Sequence, residues 1–435
     1  MRRYTWYLLA LIVVAAAAAL VATGTAGSSA HKQGVSGKIS IIGKWSAGEQ
    51  DSFQAVLDAF KAKNKDVDIK YTSAGDNTPQ VVSTAVAGGN PPDIASLPQP
   101  GLLKDLVKKK ALKSIDYIKS TVRKNYAPVW ITLGSVNGKY YGLVFKGSNK
   151  STVWYNVDQF KKAGVKASAA GTFPKFLKLA NTIRASGAKP FVLPAADGWT
   201  LTDLFENIYL RQAGAKKYDL LTNHKIKWTD PSVKAALRTM AQIVGNTANI
   251  AGGRSGALQT DFPTSVTQVL SSNPKAAILI EADFVPNDIK DKTLSPIKDY
   301  NVFPFPSIKG SVPATVMGGG DTIVVFRDNP AIRALVKFLA TPEAQTVWAK
   351  RGGFSSPNKG VSAGAYKDPL NRKNTLALQK AKIFRFDMSD LQPTAFGGTA
   401  GQGEWKLFQD FVSNPRSVNG IASKLEAAAA KAYKK

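Results

Sequence analysis

The first third of the chain alternates strand-like and helix-like segments, and this alternation restricts the fold more than any other feature. Strand patterns cover residues 37–45, 67–72 and 93–97, and helical patterns cover residues 49–63 and 78–87 between them. This β-α-β-α-β order is typical of a parallel sheet with helical crossover connections. Ligands bind such sheets in the loops that follow the carboxyl ends of the strands. The predicted class is therefore α/β, with a ligand site along that edge.

Two later extended stretches, residues 140–156 and 302–306, are interpreted as crossings between two lobes. The length of 435 residues also favours two domains. Because the crossings are interleaved with helical regions, we expect each lobe to be discontinuous in sequence. The predicted first lobe is residues 39–147 with 304–354, the second is residues 148–303 with 355–435, and residues 31–38 form a linker. Each lobe is expected to hold a sheet with a majority of parallel pairings, flanked by helices.

The N-terminus has the pattern of an export signal. Arg2 and Arg3 precede an apolar run at residues 6–22, and a stretch of small polar residues follows as far as Ala30. The run has 17 residues, which is at the lower edge of what spans a bilayer. Residues 1–30 are therefore predicted to be either a cleaved signal peptide or a retained N-terminal anchor. Both alternatives place the remaining chain outside the cytoplasm.

Composition excludes several classes of chemistry. The chain has no cysteine, which rules out disulfides, thiolate metal sites, cysteine nucleophiles and a lipid-modified cysteine. The only histidines, His31 and His224, are too few for a multi-histidine metal site. There is no phosphate-binding pattern of the G-x-x-x-x-G-K-[ST] type. No cofactor, no metal and no catalytic residue are predicted.

The formal charge of +28 is unusually high, and the lysines are scattered along the chain. One interpretation is attraction to an anionic membrane or cell-wall surface, or to an anionic ligand. The other, which we favour, is a solvated basic surface adapted to its medium. Nucleic acid is not a predicted partner, because an exported chain without a recognition motif offers little beyond charge.

Sugar binding requires flat aromatic faces beside planar hydrogen-bonding groups. The chain offers such pairs in its predicted loops, although core packing is the competing interpretation for every aromatic side chain. Glycoside hydrolysis requires two carboxylates on either side of one bond, and close acidic pairs are also present. The candidate combinations are Trp45 with Glu49 and Asp51, Trp154 in the crossing, Trp199 after Asp197, Phe284 with Glu281 and Asp283, and Phe354 after a double glycine.

Four segments together resemble a known family. They are residues 88–98 (GGNPPDIASLP), 140–160, 302–321 (beginning VFPFP) and 341–391 (beginning TPEAQTVWAKRGGFSSPN). In the last of these, Thr341 and Pro342 predict a helix start, and Gly352 and Gly353 predict its end. As a set, the segments are similar to the extracellular solute-binding proteins of ABC sugar importers, in particular the α-glucoside-binding, maltose-binding-protein-like group. The likeness covers residues 40–430.

The resemblance implies a type II periplasmic-binding-protein fold, in which two α/β lobes close about a hinge. It implies capture of an α-glucoside or maltooligosaccharide and delivery to the transmembrane subunits of an ABC permease, and we expect a monomer. The implied hinge residues are Gly147, Ser148, Pro304 and Ser355. Together with the residue pattern, the resemblance predicts ligand contacts from Trp45, Glu49, Asp51, Asp76, Asp93, Lys146, Trp154, Trp199, Glu281, Asp283, Phe284, Asp321, Arg351 and Phe354.

Two alternatives stay open from the sequence. A secreted glycoside hydrolase would use one of the acidic pairs as general acid and base. A binder of a different, acidic solute would use the basic charge, and the 281–284 segment differs from what the family pattern leads us to expect.

Overall fold

A computed structural model describes residues 35–309 and 315–434 of the chain. The predicted signal or anchor at residues 1–30 lies outside the described residues, as do positions 31–34 of the predicted linker. Among the helices that the structure describes, none combines the length and apolarity needed to cross a membrane.

The strands fall into two main sheets and one small hairpin within the described part of the chain. In chain order they are β1 (Gly37–Gly43), β2 (Val67–Ser73), β3 (Ile94–Leu97), β4 (Ser135–Val136), β5 (Lys139–Tyr140), β6 (Gly142–Asn149), β7 (Thr152–Asn156), β8 (Phe191–Val192), β9 (Ile278–Ile280), β10 (Tyr300–Pro304), β11 (Thr315–Val325) and β12 (Ile383–Phe386).

The helices make up most of the remaining chain. In the first half they are α1 (Ala47–Lys61), α2 (Thr78–Ala87), α3 (Pro100–Lys108), α4 (Lys119–Asn125), α5 (Pro128–Leu133), α6 (Val157–Lys162), α7 (Phe173–Ala185), α8 (Trp199–Ala213) and α9 (Ala215–Thr222). They continue with α10 (Pro231–Val244), α11 (Gly253–Ala257), α12 (Phe262–Val269), α13 (Pro330–Leu339), α14 (Pro342–Ala349), α15 (Pro369–Gln379), α16 (Met388–Leu391), α17 (Thr394–Gly397), α18 (Gly403–Ser413) and α19 (Val418–Tyr433). Short 3₁₀ turns lie at residues 75–77, 116–118, 167–170, 247–249, 285–288 and 363–365.

The first sheet contains the alternation read from the sequence. Strand β1 pairs in parallel with β2 and β3, and α1 and α2 make the crossovers. Alternate residues of β1, Ile39 and Ile41, point into a core that also takes Phe53 and Phe60 of α1. Strand β11 extends this sheet by pairing antiparallel with β3 and β6 and parallel with β12. The predicted parallel sheet with helical crossovers is confirmed for this lobe.

The second sheet has the order β10-β7-β9-β8. Of the pairings in this part of the described chain, β10 with β7 and β7 with β9 are antiparallel, and β8 with β9 is parallel. The prediction of a parallel majority is therefore wrong for the second sheet. Strand β7 enters this sheet from β6 of the first sheet through a two-residue crossing and pairs antiparallel with both of its neighbours.

The chain crosses between the sheets at Lys150 and Ser151, which join β6 to β7, and again between β10 and β11. Near the first crossing the amide of Gly147 donates to the carbonyl of Ser355 at 2.7 Å, and Ser148 is buried. Pro304 is exposed at the end of β10. These are the residues predicted as the hinge, and rotation of the lobes about them stays a prediction.

The C-terminal region contributes to both lobes. Strand β12 joins the first sheet, although the predicted boundaries assigned residues 355–435 to the second lobe. Helices α18 and α19 pack in the second-lobe core, where Phe408 and Leu425 share a cluster with Phe205 of α8. The lobe boundaries stay a prediction. The pairing of β12 would assign residues 383–386 to the first lobe.

Candidate functional site

A cavity of about 290 Å³ lies between the two lobes and is called the cleft below. On the first-lobe side it meets the carboxyl ends of β1 and β3, where Lys44 and Gln99 line it. On the second-lobe side it meets the start of α8, the start of α12 and the segment that follows β9. The cleft therefore lies at the sheet edge that the β-α-β pattern indicates.

Six of the predicted contact residues and one predicted hinge residue line the cleft. They come from both lobes and from distant parts of the sequence, so their meeting is a property of the tertiary fold. They are Glu49, Asp76, Lys146, Trp199, Phe284 and Asp321, with Ser148 of the hinge.

Trp199 forms the clearest aromatic surface of the cleft. It opens α8 directly after Gly198, whose φ of +82° suits glycine and whose added Cβ would lie 2.7 Å from Trp405. The indole Nε1 donates to Asp76 Oδ2 at 3.0 Å, and Lys44 Nζ lies 5.1 Å from the ring centroid. Since Asp76 and Lys44 belong to the first lobe, Trp199 links the two lobes across the cleft.

Lys146 organises the first-lobe wall. It pairs with Glu49, lies 3.9 Å from Asp321 and stands 4.6 Å from the ring centroid of Phe284. Strand register places it directly opposite Asp321, on β6 and β11 respectively. Lys146 thus brings together two first-lobe carboxylates and a second-lobe aromatic ring, a set of groups that suits a ligand with several hydroxyl groups.

Lys150 lies in the crossing and occupies an acidic cluster that the sequence analysis did not include. Its Nζ lies 3.0 Å from Asp203 and 3.9 Å from Asp390, and it also pairs with Asp387. Burial raises the pKa of Asp387, but the charge of Lys150 and the hydrogen bonds to the carboxylate together outweigh that effect and hold the pKa below its ordinary value. Burial opposes the charged form of Lys150 too, and its acidic neighbours nevertheless raise its pKa well above the usual range.

Two predicted aromatic contacts, Trp45 and Phe354, are wrong as cleft surfaces. Both are fully buried behind the first-lobe wall, where each packs on Trp348 at 5.0 Å between ring centroids. Trp45 Nε1 donates to Asp321 Oδ2 at 2.6 Å, so its contribution is to orient a carboxylate that does line the cleft. Trp45 is a core residue because its indole packs against the rings of Phe53, Phe145 and Trp348.

Three predicted residues of the second lobe are also buried away from the cleft lining. Trp154 packs inside the lobe and donates to the carbonyl of Ala282 at 3.0 Å. Asp283 accepts from Ser355 Oγ at 2.5 Å, and Glu281 is 1% exposed. The chain after β9 reaches the cleft only from Phe284 onward, so the side chains of Glu281 and Asp283 stay buried before that point.

Asp51, Asp93 and Arg351 lie outside the cleft for geometric reasons. Asp51 follows Glu49 by two helical positions, about 200° around the axis, and is exposed. Asp93 precedes β3 rather than following it, and its carboxylate accepts from Ser40 at 2.8 Å near the opposite edge of the sheet. Arg351 is exposed and bonds Ser52 Oγ at 3.1 Å.

The sequence analysis missed about half of the cleft. Some missed residues had a local signal, since Asp197 precedes Gly198 and Asp261 caps α12 by accepting from Thr264 at 2.8 Å. Others, such as Trp405 in α18, had none. The missed lining residues with charged or aromatic side chains are Lys44, Lys150, Asp197, Asp261, Phe262, Asp288, Asp387, Asp390 and Trp405.

The cleft is acidic although the protein is basic. Eight carboxylates and three lysines line it, a formal balance of −5 against +28 for the chain. Burial raises the pKa of Asp197 to about 6, and burial with repulsion from Glu49 raises that of Asp288 to about 6. Both are still mostly ionised at neutral pH. Among the described residues no group of histidine and acidic side chains is arranged to hold a metal ion.

A family model for bacterial extracellular solute-binding proteins matches residues 46–346, which is more than half of the chain. The chain belongs to this family. The family description agrees with the export predicted from residues 1–30.

Two curated relatives of this solute-binding protein cover most of its length. The alpha-glucosides-binding periplasmic protein AglE of Rhizobium meliloti is 33% identical over 88% of this chain and 85% of its own length. The osmoprotective compounds-binding protein GgtB of Synechocystis is 30% identical over 84% of this chain and 87% of its own. Both relatives are binding proteins by name.

Solved structures agree on the architecture. A chitin oligosaccharide binding protein matches with a TM-score of 0.78 at 21% identity, over 92% of this chain and all of that one. The bacterial solute receptor AcbH, described as preferring β-D-galactopyranose, matches with a TM-score of 0.79 at 18% identity over the same shares. The predicted two-lobed α/β fold of solute-binding proteins is confirmed.

Glu281 gives the solute-binding protein a predicted pH dependence of stability. Its Oε1 has no described partner, and burial raises its pKa to about 8. The folded state therefore binds a proton that the unfolded state lacks between about pH 4.5 and 8, and stability falls as pH rises through that window. Glu281→Gln is expected to raise the free energy of unfolding by about 2 kcal/mol at pH 8.5 and to have little effect at pH 5.

Urea unfolding at the two pH values measures this difference. Glu343→Gln, at an exposed position of α14, is the matched control and is expected to change neither value by more than about 0.5 kcal/mol. An equal gain in unfolding free energy for Glu281→Gln at both pH values would contradict the claim that ionised Glu281 destabilises the folded state at high pH.

Proposed function

We propose that this protein is the carbohydrate-binding component of an ABC importer, and that it captures an α-glucoside or maltooligosaccharide in the cleft for delivery to the membrane permease. The observation that carries this proposal is the cleft itself, where Trp199, Phe262 and Phe284 stand beside carboxylates of both lobes. The function named for AglE, which covers nearly the whole chain, supports the same ligand class.

Recognition would combine one apolar surface with directed hydrogen bonds. The Trp199 ring offers a flat face for the apolar side of a pyranose, and its centroid lies 5.5 Å from that of Phe262. Asp76 and Glu49 supply acceptors for hydroxyl groups, while Lys44 and Lys146 supply donors. Because the hydrogen bond between Trp199 and Asp76 already joins the lobes, a sugar that contacts both residues would favour the closed arrangement of the lobes.

The acidic lining favours a neutral ligand over an acidic solute. The three lysines of the cleft are each engaged by carboxylates, so an added carboxylate would meet excess negative charge. We expect glucuronate to bind at least ~10-fold more weakly than the neutral glucoside with the same ring stereochemistry. Isothermal titration calorimetry at fixed ionic strength measures both, and tighter glucuronate binding would revive the acidic-solute alternative.

Hydrolysis has weaker support from the geometry. A glycosidase needs an acid with an elevated pKa facing a second carboxylate across the bond. Glu281 and Asp283, the predicted pair with raised pKa values, are 1% exposed and do not line the cleft. The family and the relatives are binding proteins. Incubation with the bound sugar and chromatographic analysis tests the point, and the proposal predicts that the sugar is recovered intact.

The remaining partners follow from the same proposal. Transmembrane permease subunits would receive the closed, loaded protein, which would act as a monomer at the cell surface or in the periplasm. Attraction of the basic surface to an anionic membrane or cell wall stays a prediction. Pull-down of the permease subunits from membranes, with and without sugar, tests delivery.

A further inference from the structure

A second cavity, of about 370 Å³, lies behind the crossing between the lobes and is called the rear cavity below. Lys146, Ser148 and Lys150, at the end of β6 and in the first crossing, line the cleft, whereas Asn149 and Ser151 line the rear cavity. This alternation follows the two-residue period of extended chain, so the two cavities share one wall from opposite sides. The second crossing borders the rear cavity through Phe303 and Phe305.

Arg211 is an unusual feature of this cavity. The side chain is 4% exposed, yet no carboxylate lies within ion-pair distance of it in residues 35–309 and 315–434. Its guanidinium donates to the carbonyl and side-chain oxygens of Asn207 and to the carbonyl of Thr315, and it lies 5.0 Å from the centroid of Phe305. A buried charge without a counter-ion is costly, and burial lowers the pKa of Arg211 to about 9.

The other charged residues of the rear cavity have the same sign. Lys373 and Lys380 of the α15 region line it, and its described lining contains no aspartate or glutamate. Lys373 Nζ also donates to the carbonyl of Val302 at 2.9 Å, which holds that lysine beside the second crossing. The rear cavity therefore carries three cations, in contrast with the acidic cleft on the other side of the wall.

We propose that the rear cavity is a binding site for a small oxyanion of the phosphate or sulfate type. A guanidinium fork and two ammonium groups around one cavity are a suitable set of donors for tetrahedral oxyanions. The anion supplies the counter-charge that Arg211 lacks.

The site is coupled to the cleft through a short chain of contacts. The side-chain oxygen of Asn207 accepts a hydrogen bond from Arg211, and its side-chain amide donates to the carbonyl of Lys150 at 2.8 Å. Ser151 Oγ also donates to Asn207 at 2.7 Å. Because an anion on Arg211 acts on the crossing that carries Lys150, oxyanion binding is expected to change the sugar affinity, and sugar binding to change the oxyanion affinity by the same factor.

The test is calorimetric titration of the purified protein with inorganic phosphate, sulfate and a hexose phosphate in separate experiments, at an ionic strength of about 150 mM. We expect one saturable site per chain. The variant Lys373→Gln/Lys380→Gln is expected to weaken phosphate binding at least ~10-fold, because two of the three cations are removed. Lys424→Gln, at an exposed position of α19 outside the cavity, is the matched control and should bind phosphate as the parent does.

These experiments distinguish a specific oxyanion site from general attraction of anions to a basic protein. Phosphate binding that exceeds one per chain without saturation, or that the double variant retains at the parent affinity, would overturn the proposal. The single variant Lys380→Glu, at an exposed position, covers the case in which the double variant fails to fold, and it is expected to weaken phosphate binding by a similar factor. Sugar binding in the cleft is measured separately, so failure of this site leaves the transport proposal unaffected.

Discussion

Trp199→Ala is expected to weaken binding of the recognised α-glucoside by about 30- to 100-fold, or about 2–3 kcal/mol. The substitution removes an indole that lines the cleft and the 3.0 Å hydrogen bond from Nε1 to Asp76. Asp76 would retain Lys44, at 3.4 Å, so the first-lobe wall should keep its charge balance. Isothermal titration calorimetry measures the loss without depending on tryptophan emission.

Trp199→Phe is the matched variant for this prediction. It keeps an aromatic face but removes the indole donor, and we expect a loss of about fivefold or less. Circular dichroism and thermal unfolding should show that both variants fold. A folded Trp199→Ala protein that binds the sugar with parental affinity would remove Trp199 from the binding surface.

Lys150→Met is expected to lower the free energy of unfolding by about 3–5 kcal/mol at pH 7.5. Lys150 is the cation that faces Asp203, Asp387 and Asp390 in a buried cluster, and its loss leaves these carboxylates without a counter-charge. Protonation relieves the repulsion, so the deficit should shrink as pH falls toward 5. Urea unfolding across this pH range measures the effect.

Lys406→Met provides the control for charge removal alone. Lys406 pairs with Asp410 on the exposed face of α18, and such a surface pair contributes about 0.5 kcal/mol or less. A similar small change for Lys150→Met would mean that the acidic cluster does not depend on this lysine.

Local sequence signals gave a correct account of the elements that position the cleft. The alternation in the first hundred residues predicted β1, α1, β2, α2 and β3, and hence the sheet edge where Glu49 and Asp76 lie. The start of α14 is confirmed as well: Thr341 Oγ1 accepts from the amide of Ala344 at 3.2 Å. These features depend on residues within a few positions of one another, which is why a single sequence is sufficient to find them.

The orientation of aromatic side chains could not be obtained this way. Trp45 and Trp199 both stand next to chain reversals beside acidic residues and both are buried, yet only Trp199 lines the cleft. What separates them is long-range contact. Trp45 is held inward by Asp321, 276 positions away, and Lys150 meets Asp387 across 237 positions. No spacing rule within the sequence encodes such pairs.

The predictions for two acidic residues were wrong for a different reason. Asp93 was grouped with strand ends although it begins its strand, and Glu281 follows a strand whose end stays inside the protein. The general rule that ligands bind at carboxyl ends of strands holds here for the first sheet. Applying it residue by residue requires knowing which strand ends reach the cleft.

The central claim is capture of a neutral carbohydrate without chemical change. Its most direct test is intrinsic tryptophan fluorescence of the purified protein titrated with maltose, trehalose, sucrose, maltotriose and glucuronate. The account predicts a saturable change with at least one neutral α-glucoside, a weaker or absent response to glucuronate, and the same sugar recovered afterwards. No saturable response to any neutral sugar, or release of a cleaved product, would contradict it.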